Sequence, residues 1–233
     1  MIDFYALTSP NVLKVFIALE ELQLAYRPIY VDVWNGDQFT PEFGKVTLNR
    51  KIPVIVDHQG PDGKPYTVIE SGAILMYLAQ KTGKLLPEDT AKRFDVLQWL
   101  MVQMSSIGPI SGQAVHFSKF APAGNDYALS RYRTELNRLW DVHNERLSQH
   151  PFIGGDEYSI ADIALLPWLR NHEFLGMPLA KWPHIAKYIE TLSARPAVKK
   201  VYGEILPSIK SSRDTASDDQ KDRVFGRGQY ATA

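Results

Sequence analysis

Between Asn49 and Gly72 the chain has few ways to fold. Lys51-Ile52-Pro53-Val54-Ile55-Val56-Asp57 is a β-rich run opened by a proline, and Gly60-Pro61-Asp62-Gly63 is a turn. Val68-Ile69-Glu70-Ser71-Gly72 then ends a second β run just where a helical pattern begins. Proline cannot donate to a ladder, so Pro53 belongs at a strand's first residue or at an edge. Ile52 would then keep its backbone N–H and C=O for another partner. Glu70 and Ser71 stand where a new helix leaves its first amides unpaired, a natural seat for an anion. Together these features suit a short, charged, extended peptide.

The rest of the first 82 residues fits around that stretch. Residues 2–6 alternate as a strand should. Thr8-Ser9-Pro10-Asn11 is a turn rich in helix-start residues, and Val12, Val15, Phe16, Leu19 and Leu22 recur at helical spacing. Residues 26–33 read as a second strand, and 34–47 as a polar loop with one helical turn from Pro41. Ile74, Leu75 and Leu78 mark the buried stripe of the helix after Ser71. The order β-α-β-α-β-β-α predicts an α/β domain with a mixed four-stranded sheet.

After Gly83-Lys84-Leu85-Leu86-Pro87 the pattern becomes all-helical. Phe94, Leu97, Leu100, Met101 and Met104 predict a long helix with a kink near Gly108-Pro109 and Gly112. A second long helix carries Leu129, Leu136, Leu139, His143 and Leu147, with His143 expected in the core. Ser159-Ile160-Ala161-Asp162 has capping-box spacing with Asp in place of Glu, and Pro167 is expected to bend or end that helix. Residues 183–194 and 197–206 predict two shorter helices. The expected domains are 1–84, 85–206 and a polar tail, 207–233, which has no core of its own.

Composition excludes several functions. Lysine plus arginine equals aspartate plus glutamate at 26 each, so no global basic field points to nucleic acid or an anionic membrane. No run approaches the roughly 18 apolar residues of a membrane-spanning helix. No basic-then-apolar leader is visible at the start, and together these favour a cytoplasmic protein. The six histidines have no metal-ligand spacing, and cysteine is absent, so any thiol chemistry must use a thiol supplied by a ligand.

Ile-Pro before one strand, Glu-Ser before a helix, Leu85-Leu86-Pro87, and Gly154-Gly155 leading into Ser159-Ile160-Ala161-Asp162 together resemble a cytosolic glutathione transferase over residues 1 to 206. The resemblance is finer to the nu class of bacterial transferases, the disulfide-bond oxidoreductase type related to the yeast nitrogen-regulating prion protein. It is carried by Thr8-Ser9-Pro10-Asn11, Gly36-Asp37-Gln38-Phe39, Pro41-Glu42-Phe43, Asn49-Arg50-Lys51-Ile52-Pro53, Gly108-Pro109-Ile110-Ser111-Gly112-Gln113 and Arg131-Tyr132. The implied fold is a thioredoxin-like α/β N-terminal domain followed by an all-α C-terminal domain. The implied assembly is a homodimer that binds glutathione or glutathione disulfide.

The same resemblance implies roles for particular residues. Pro53 is implied to be cis, turning the Ile52 backbone toward the cysteinyl part of glutathione. Glu70 and Ser71 are implied to hold the γ-glutamyl ammonium and carboxylate. Gln38 and Arg131 are implied as further contacts, and Lys51 is placed to meet a glycyl carboxylate. Asn11, Thr8 and Ser9 compete for the sulfur, in that order. A free thiol has a pKa near 8.5, so hydrogen bonds and a helix N-terminus are needed to hold it as thiolate. For each of the three, ordinary turn and cap chemistry is the competing explanation, while Tyr5 is expected in the core.

The expected function is a glutathione-dependent transferase or disulfide reductase. Glutathione held as thiolate would attack a disulfide sulfur through a mixed disulfide. With no protein cysteine, a second glutathione must supply the second thiol. Weaker conjugating or peroxidase activity is implied alongside. The alternatives are an unknown electrophile, in ether cleavage or dehalogenation, and a non-catalytic regulatory protein on the same fold.

Overall fold

A computed structural model gives the structure, which describes residues 1–226. The chain falls into two compact units, one built from Met1–Ile74 with the segment from Lys200 onward, the other from Leu75–Lys199.

In the first unit the elements are β1 (Ile2–Ala6), α1 (Pro10–Glu21), β2 (Tyr26–Tyr30), α2 (Pro41–Val46), β3 (Val54–Asp57), β4 (Tyr66–Ile69) and α3 (Ser71–Thr82), which runs on into the second unit. The sheet order is β2-β1-β3-β4. β1 and β2 are parallel, while β1 with β3 and β3 with β4 are antiparallel. This is the mixed four-stranded sheet that the element order predicts. The second strand ends at Tyr30, three residues earlier than expected. Phe4, Phe16 and Tyr26 pack edge to face, with centroids 4.7–6.4 Å apart. Phe4 and Phe16 are fully buried, and each such side chain stabilises the fold by about 1.5–3 kcal/mol.

The register brings four chain segments to one end of the sheet. Tyr5 faces Val54, Val54 faces Ile69, and Ala6 faces Tyr30. The turn after β1, the Ile52-Pro53 entry to β3, the exit of β4 into α3 and the loop after β2 therefore share that end.

The second unit is helical. It holds α4 (Thr90–Val102), α5 (Gly108–Val115), α6 (Asp126–Gln149), α7 (Ile160–Arg170), α8 (His172–Leu175), α9 (Pro183–Ser193) and most of α10 (Pro196–Lys200). The expected kink is a π turn over Gln103–Ile107, just ahead of Gly108-Pro109. Pro109 removes one intrahelical donor, and the wider turn takes up the mismatch. Of the apolar stripe on α4, Leu100 is fully buried, whereas Phe94 and Met101 are 59% and 47% exposed. Met101, one of the positions whose spacing predicts this helix, is thus not part of this unit's core. Two turns of helix put Phe94 and Met101 on one face, which this unit leaves open.

α7 opens with the expected capping box. Ser159 Oγ accepts from the Ala161 N–H, and Asp162 accepts from the Ser159 N–H at 2.8 Å. Asp162, fully buried, also accepts from the Ile153 N–H at 2.8 Å and the Tyr188 hydroxyl at 2.7 Å. α7 runs three residues past Pro167. The proline removes the bond to the Ile163 carbonyl, and near-continuous burial from Ile160 to Leu169 carries the helix onward. Gly154 is required by packing, since a Cβ there would stand 2.9 Å from Val96 Cγ2. His143 is buried in the core, its Nδ1 2.6 Å from the Leu139 carbonyl, and burial pulls its pKa down to about 4.

The C-terminal segment belongs to the first unit. A π turn, Val201–Ile205, packs on α1. It leads to α11 (Leu206–Ser208) and then α12 (Asp218–Phe225), which opens on a Ser217–Gln220 capping box. Ser212 donates through its N–H and hydroxyl to Asp32 Oδ2 at 3.0 and 2.6 Å, and Phe225 stacks edge-on against Trp34 at 5.7 Å. The tail thus lies along the loop after β2. The last seven residues of the expected tail, Tyr230 among them, lie outside the described residues. Among the described residues no helix is long and apolar enough to cross a membrane.

Candidate functional site

The shared sheet end carries most of the sequence-predicted residues. Ser9 is the N-cap of α1, its Oγ accepting from the Val12 N–H at 3.3 Å, with Pro10 in the first turn. Pro fits there because its missing N–H would be unpaired anyway. Asn11 follows within the first helical turn, and Thr8, Ser9 and Asn11 are all half-buried. The Ser9 hydroxyl serves the cap through a lone pair, which leaves its proton to donate. Tyr5 packs 5.7 Å from Phe43 in a cluster with Val31 and Val54, and burial pushes its phenol up. It packs against the core and is partly buried.

Across β1 the Ile52–Pro53 peptide is cis. Pro53 is buried directly ahead of β3, Ile52 is half-buried, and Lys51 is exposed. Next comes the β4–α3 junction, where Glu70 has φ +66°. A left-handed backbone costs a non-glycine residue roughly 1–2 kcal/mol, and such strain gathers at ligand sites. The Glu70 carbonyl accepts the first helical bond, from the Ile74 N–H at 2.9 Å. Its carboxylate accepts from Asn49 Nδ2 at 3.3 Å. Ser71, the first residue of α3, is buried.

Gln38 lies in the 3₁₀ turn Asp37–Phe39 of the loop after β2. It is buried, and its amide oxygen has no hydrogen-bond partner among the described residues. Arg50 ties that loop to the β3 entry through the Gln38 and Thr40 carbonyls at 3.3 and 3.2 Å. Arg131 belongs to the second unit. It lies exposed on α6, 3.9 Å from Glu135, which is also clamped by Arg138 at 2.6 Å.

Two helix N-termini, α1 and α3, therefore meet this end of the sheet, and their dipoles favour negative charge. Around them stand short polar side chains, an acid on a strained backbone and a cis X–Pro edge. The arrangement has the shape and polarity to suit an extended ligand with anionic groups at its ends. Among the described residues no group of three or more His, Asp or Glu is placed to hold a metal.

One residue of this end escaped the sequence reading. Lys14, on α1, is 1% exposed, and its ammonium donates to Ser71 Oγ at 3.3 Å. Burial pulls the Lys14 pKa down to about 7, with the Glu70 carboxylate opposing. The available signal was a single lysine inside Val-Leu-Lys-Val-Phe-Ile-Ala-Leu.

Comparison with known proteins shows the family. Residues 8–81 match the glutathione S-transferase N-terminal domain and residues 108–196 the glutathione S-transferase C-terminal domain. The chain is 46% identical to the disulfide-bond oxidoreductase YfcG of Escherichia coli K12 over 198 residues, which is 84% of this chain and 92% of that protein. Its fold is similar to a Pseudomonas fluorescens Pf-5 glutathione transferase family member with two glutathione bound. The TM-score there is 0.81 at 42% identity, covering 85% of this chain and 91% of that one. It is likewise similar to a Pseudomonas putida glutathione transferase with one glutathione disulfide bound per subunit, with a TM-score of 0.80, 41% identity, and coverage of 85% and 89%. With both its halves matched, the chain belongs to the glutathione S-transferase family, in its nu-type branch.

Proposed function

We propose that the chain is a glutathione-dependent enzyme of thiol–disulfide exchange on small organic disulfides, with weaker conjugating or peroxidase activity. The observation that supports this most is the gathering, at one end of the sheet, of the cis Ile52–Pro53 edge, Glu70 on its strained backbone and two helix N-termini. The names of the relatives point the same way: a disulfide-bond oxidoreductase, and structures that hold glutathione or its disulfide.

Ile52 offers its backbone to the cysteinyl residue, as an edge strand offers a ladder. Glu70 pairs with the γ-glutamyl ammonium, and Ser71 donates to the γ-glutamyl carboxylate beside the α3 N-terminus. Gln38, whose buried amide oxygen has no partner among the described residues, accepts from a ligand N–H, and Lys51 meets the glycyl carboxylate. Asn11 and Thr8 donate to the sulfur, with Ser9 third, and hold it as thiolate near the positive end of α1. Bound glutathione supplies the thiol that the chain lacks, and a second glutathione supplies the other. Arg131 is the further contact that the family resemblance implies.

The enzyme works as a homodimer in the cytoplasm, taking disulfides or electrophiles and not nucleic acid. Phe94 and Met101, exposed on one face of α4, support a partner surface. The expected organisation is a glutathione-binding domain over 1–84, a helical domain over 85–206 and a tail from 207. Calorimetric titration with glutathione and with glutathione disulfide tests the reading. Saturable binding of both is expected, and no binding at millimolar concentration overturns it in favour of a non-catalytic protein.

A further inference from the structure

α1 is buried without interruption from Val12 to Leu19, and Lys14 is the charged residue in that run. An ammonium in such a place is unfavourable unless something in the fold uses it. Its Nζ meets Ser71 Oγ at 3.3 Å in a buried hydrogen bond from the second turn of α1 to the first residue of α3, two helices distant in sequence. Glu70, whose charge acts on Lys14, adjoins Ser71, and its carboxylate is also bonded by Asn49.

We propose that Lys14 is a positioning residue of the glutathione site, its ammonium fixing the Ser71 hydroxyl as a donor toward the γ-glutamyl carboxylate. The inference rests on the reading that Glu70 and Ser71 grip that end of the ligand. An ammonium has donors and no lone pair, so Ser71 must meet it with a lone pair and keep its own proton for another acceptor. A neutral amine has a lone pair and draws the Ser71 proton inward. The protonation of Lys14 thus sets whether it gives Ser71 a proton or can take one. A carboxylate bound at Ser71 favours the ammonium, so binding takes up a proton whenever Lys14 starts neutral.

Other charged groups around α1 are engaged elsewhere. Asp3 on β1 bonds Arg27 and His58, and Glu20, at the far end of the helix, meets Lys200 with Glu204 beside it. The charge of Glu70 acts on Lys14.

The test is calorimetric titration with S-methylglutathione, which has no thiol to ionise, from about pH 5.5 to about pH 8.5 in buffers of different ionisation enthalpy. Wild-type affinity should fall about tenfold or more as pH rises across Lys14's titration near 7, with proton uptake on binding above it. Lys14→Met should bind about tenfold more weakly at the acid end and lose the uptake. Lys14→Arg should keep a donor to Ser71 and bind with no pH dependence from this position. Wild-type binding with no proton uptake overturns the role of Lys14 whatever the variants do, so a poorly folding variant does not blunt the test. Full affinity in Lys14→Met overturns it too. No wild-type binding at all overturns the underlying site reading instead.

Discussion

Lys14→Met removes a buried charge, and the change in stability with pH can be worked out beforehand. In the unfolded chain a lysine keeps its ordinary pKa of 10.5, whereas in the fold burial lowers it to about 7. Below pH 7 both states carry the proton, and stability does not change with pH through this group. Between the two values the unfolded chain holds a proton that the fold has released, so stability rises by about 1.4 kcal/mol per pH unit. Above 10.5 neither state is protonated. The full window is worth on the order of 4–5 kcal/mol, of which about 2–3 kcal/mol falls between pH 7 and 9. Urea denaturation of ligand-free wild type and Lys14→Met across that range is the assay. The wild type should gain stability relative to the variant by this amount as pH rises. Curves that stay parallel would mean that Lys14 keeps an ordinary pKa in the fold, and the burial argument would fall.

Other perturbations test other parts of the structure. Asp162→Ala leaves the Ile153 and Ser159 amides and the Tyr188 hydroxyl without their acceptor. It should cost about 3–5 kcal/mol in urea denaturation followed by tryptophan emission, and a loss under 1 kcal/mol would contradict the buried network. Asp32→Ala removes both Ser212 bonds and should raise protease cleavage in the segment 209–217 several-fold. Unchanged cleavage would mean that the Asp32–Ser212 bonds do not hold the tail. Phe94→Glu with Met101→Glu puts charge on the open face of α4 and should convert a dimer to monomer in light scattering. A variant dimer as tight as wild type would move the interface elsewhere.

The sheet was legible because local rules agree with one another. Pro53 could open β3 but not interrupt it, the Gly60–Gly63 turn fixes the hairpin, and Glu70-Ser71 marks the start of α3. The capping box at Ser159 was legible for the same reason, as four residues satisfy it. What stayed hidden depends on distant chain. Lys14 shows in the sequence as a lone charge within the apolar run of α1, and its partner Ser71 comes from the start of α3, far along the chain. The tail after Ser208 has no core of its own, yet Asp32 and Trp34 give it anchors that no local pattern announces. On α4, periodicity marked Phe94 and Met101 as apolar positions but could not say that this unit leaves them uncovered.

The central claim is that this sheet end activates a ligand's thiol for disulfide exchange. Turnover of 2-hydroxyethyl disulfide with glutathione, set beside conjugation of an aryl halide, tests it most directly in wild type and Asn11→Ala. Losing one hydrogen bond to a thiolate costs about 1.5–3 kcal/mol, so Asn11→Ala should lower disulfide turnover about 10- to 100-fold and raise the pKa of the bound thiol. Wild type should reduce the disulfide far faster than it conjugates the halide. Faster conjugation than reduction, or full disulfide turnover in Asn11→Ala, would contradict the account.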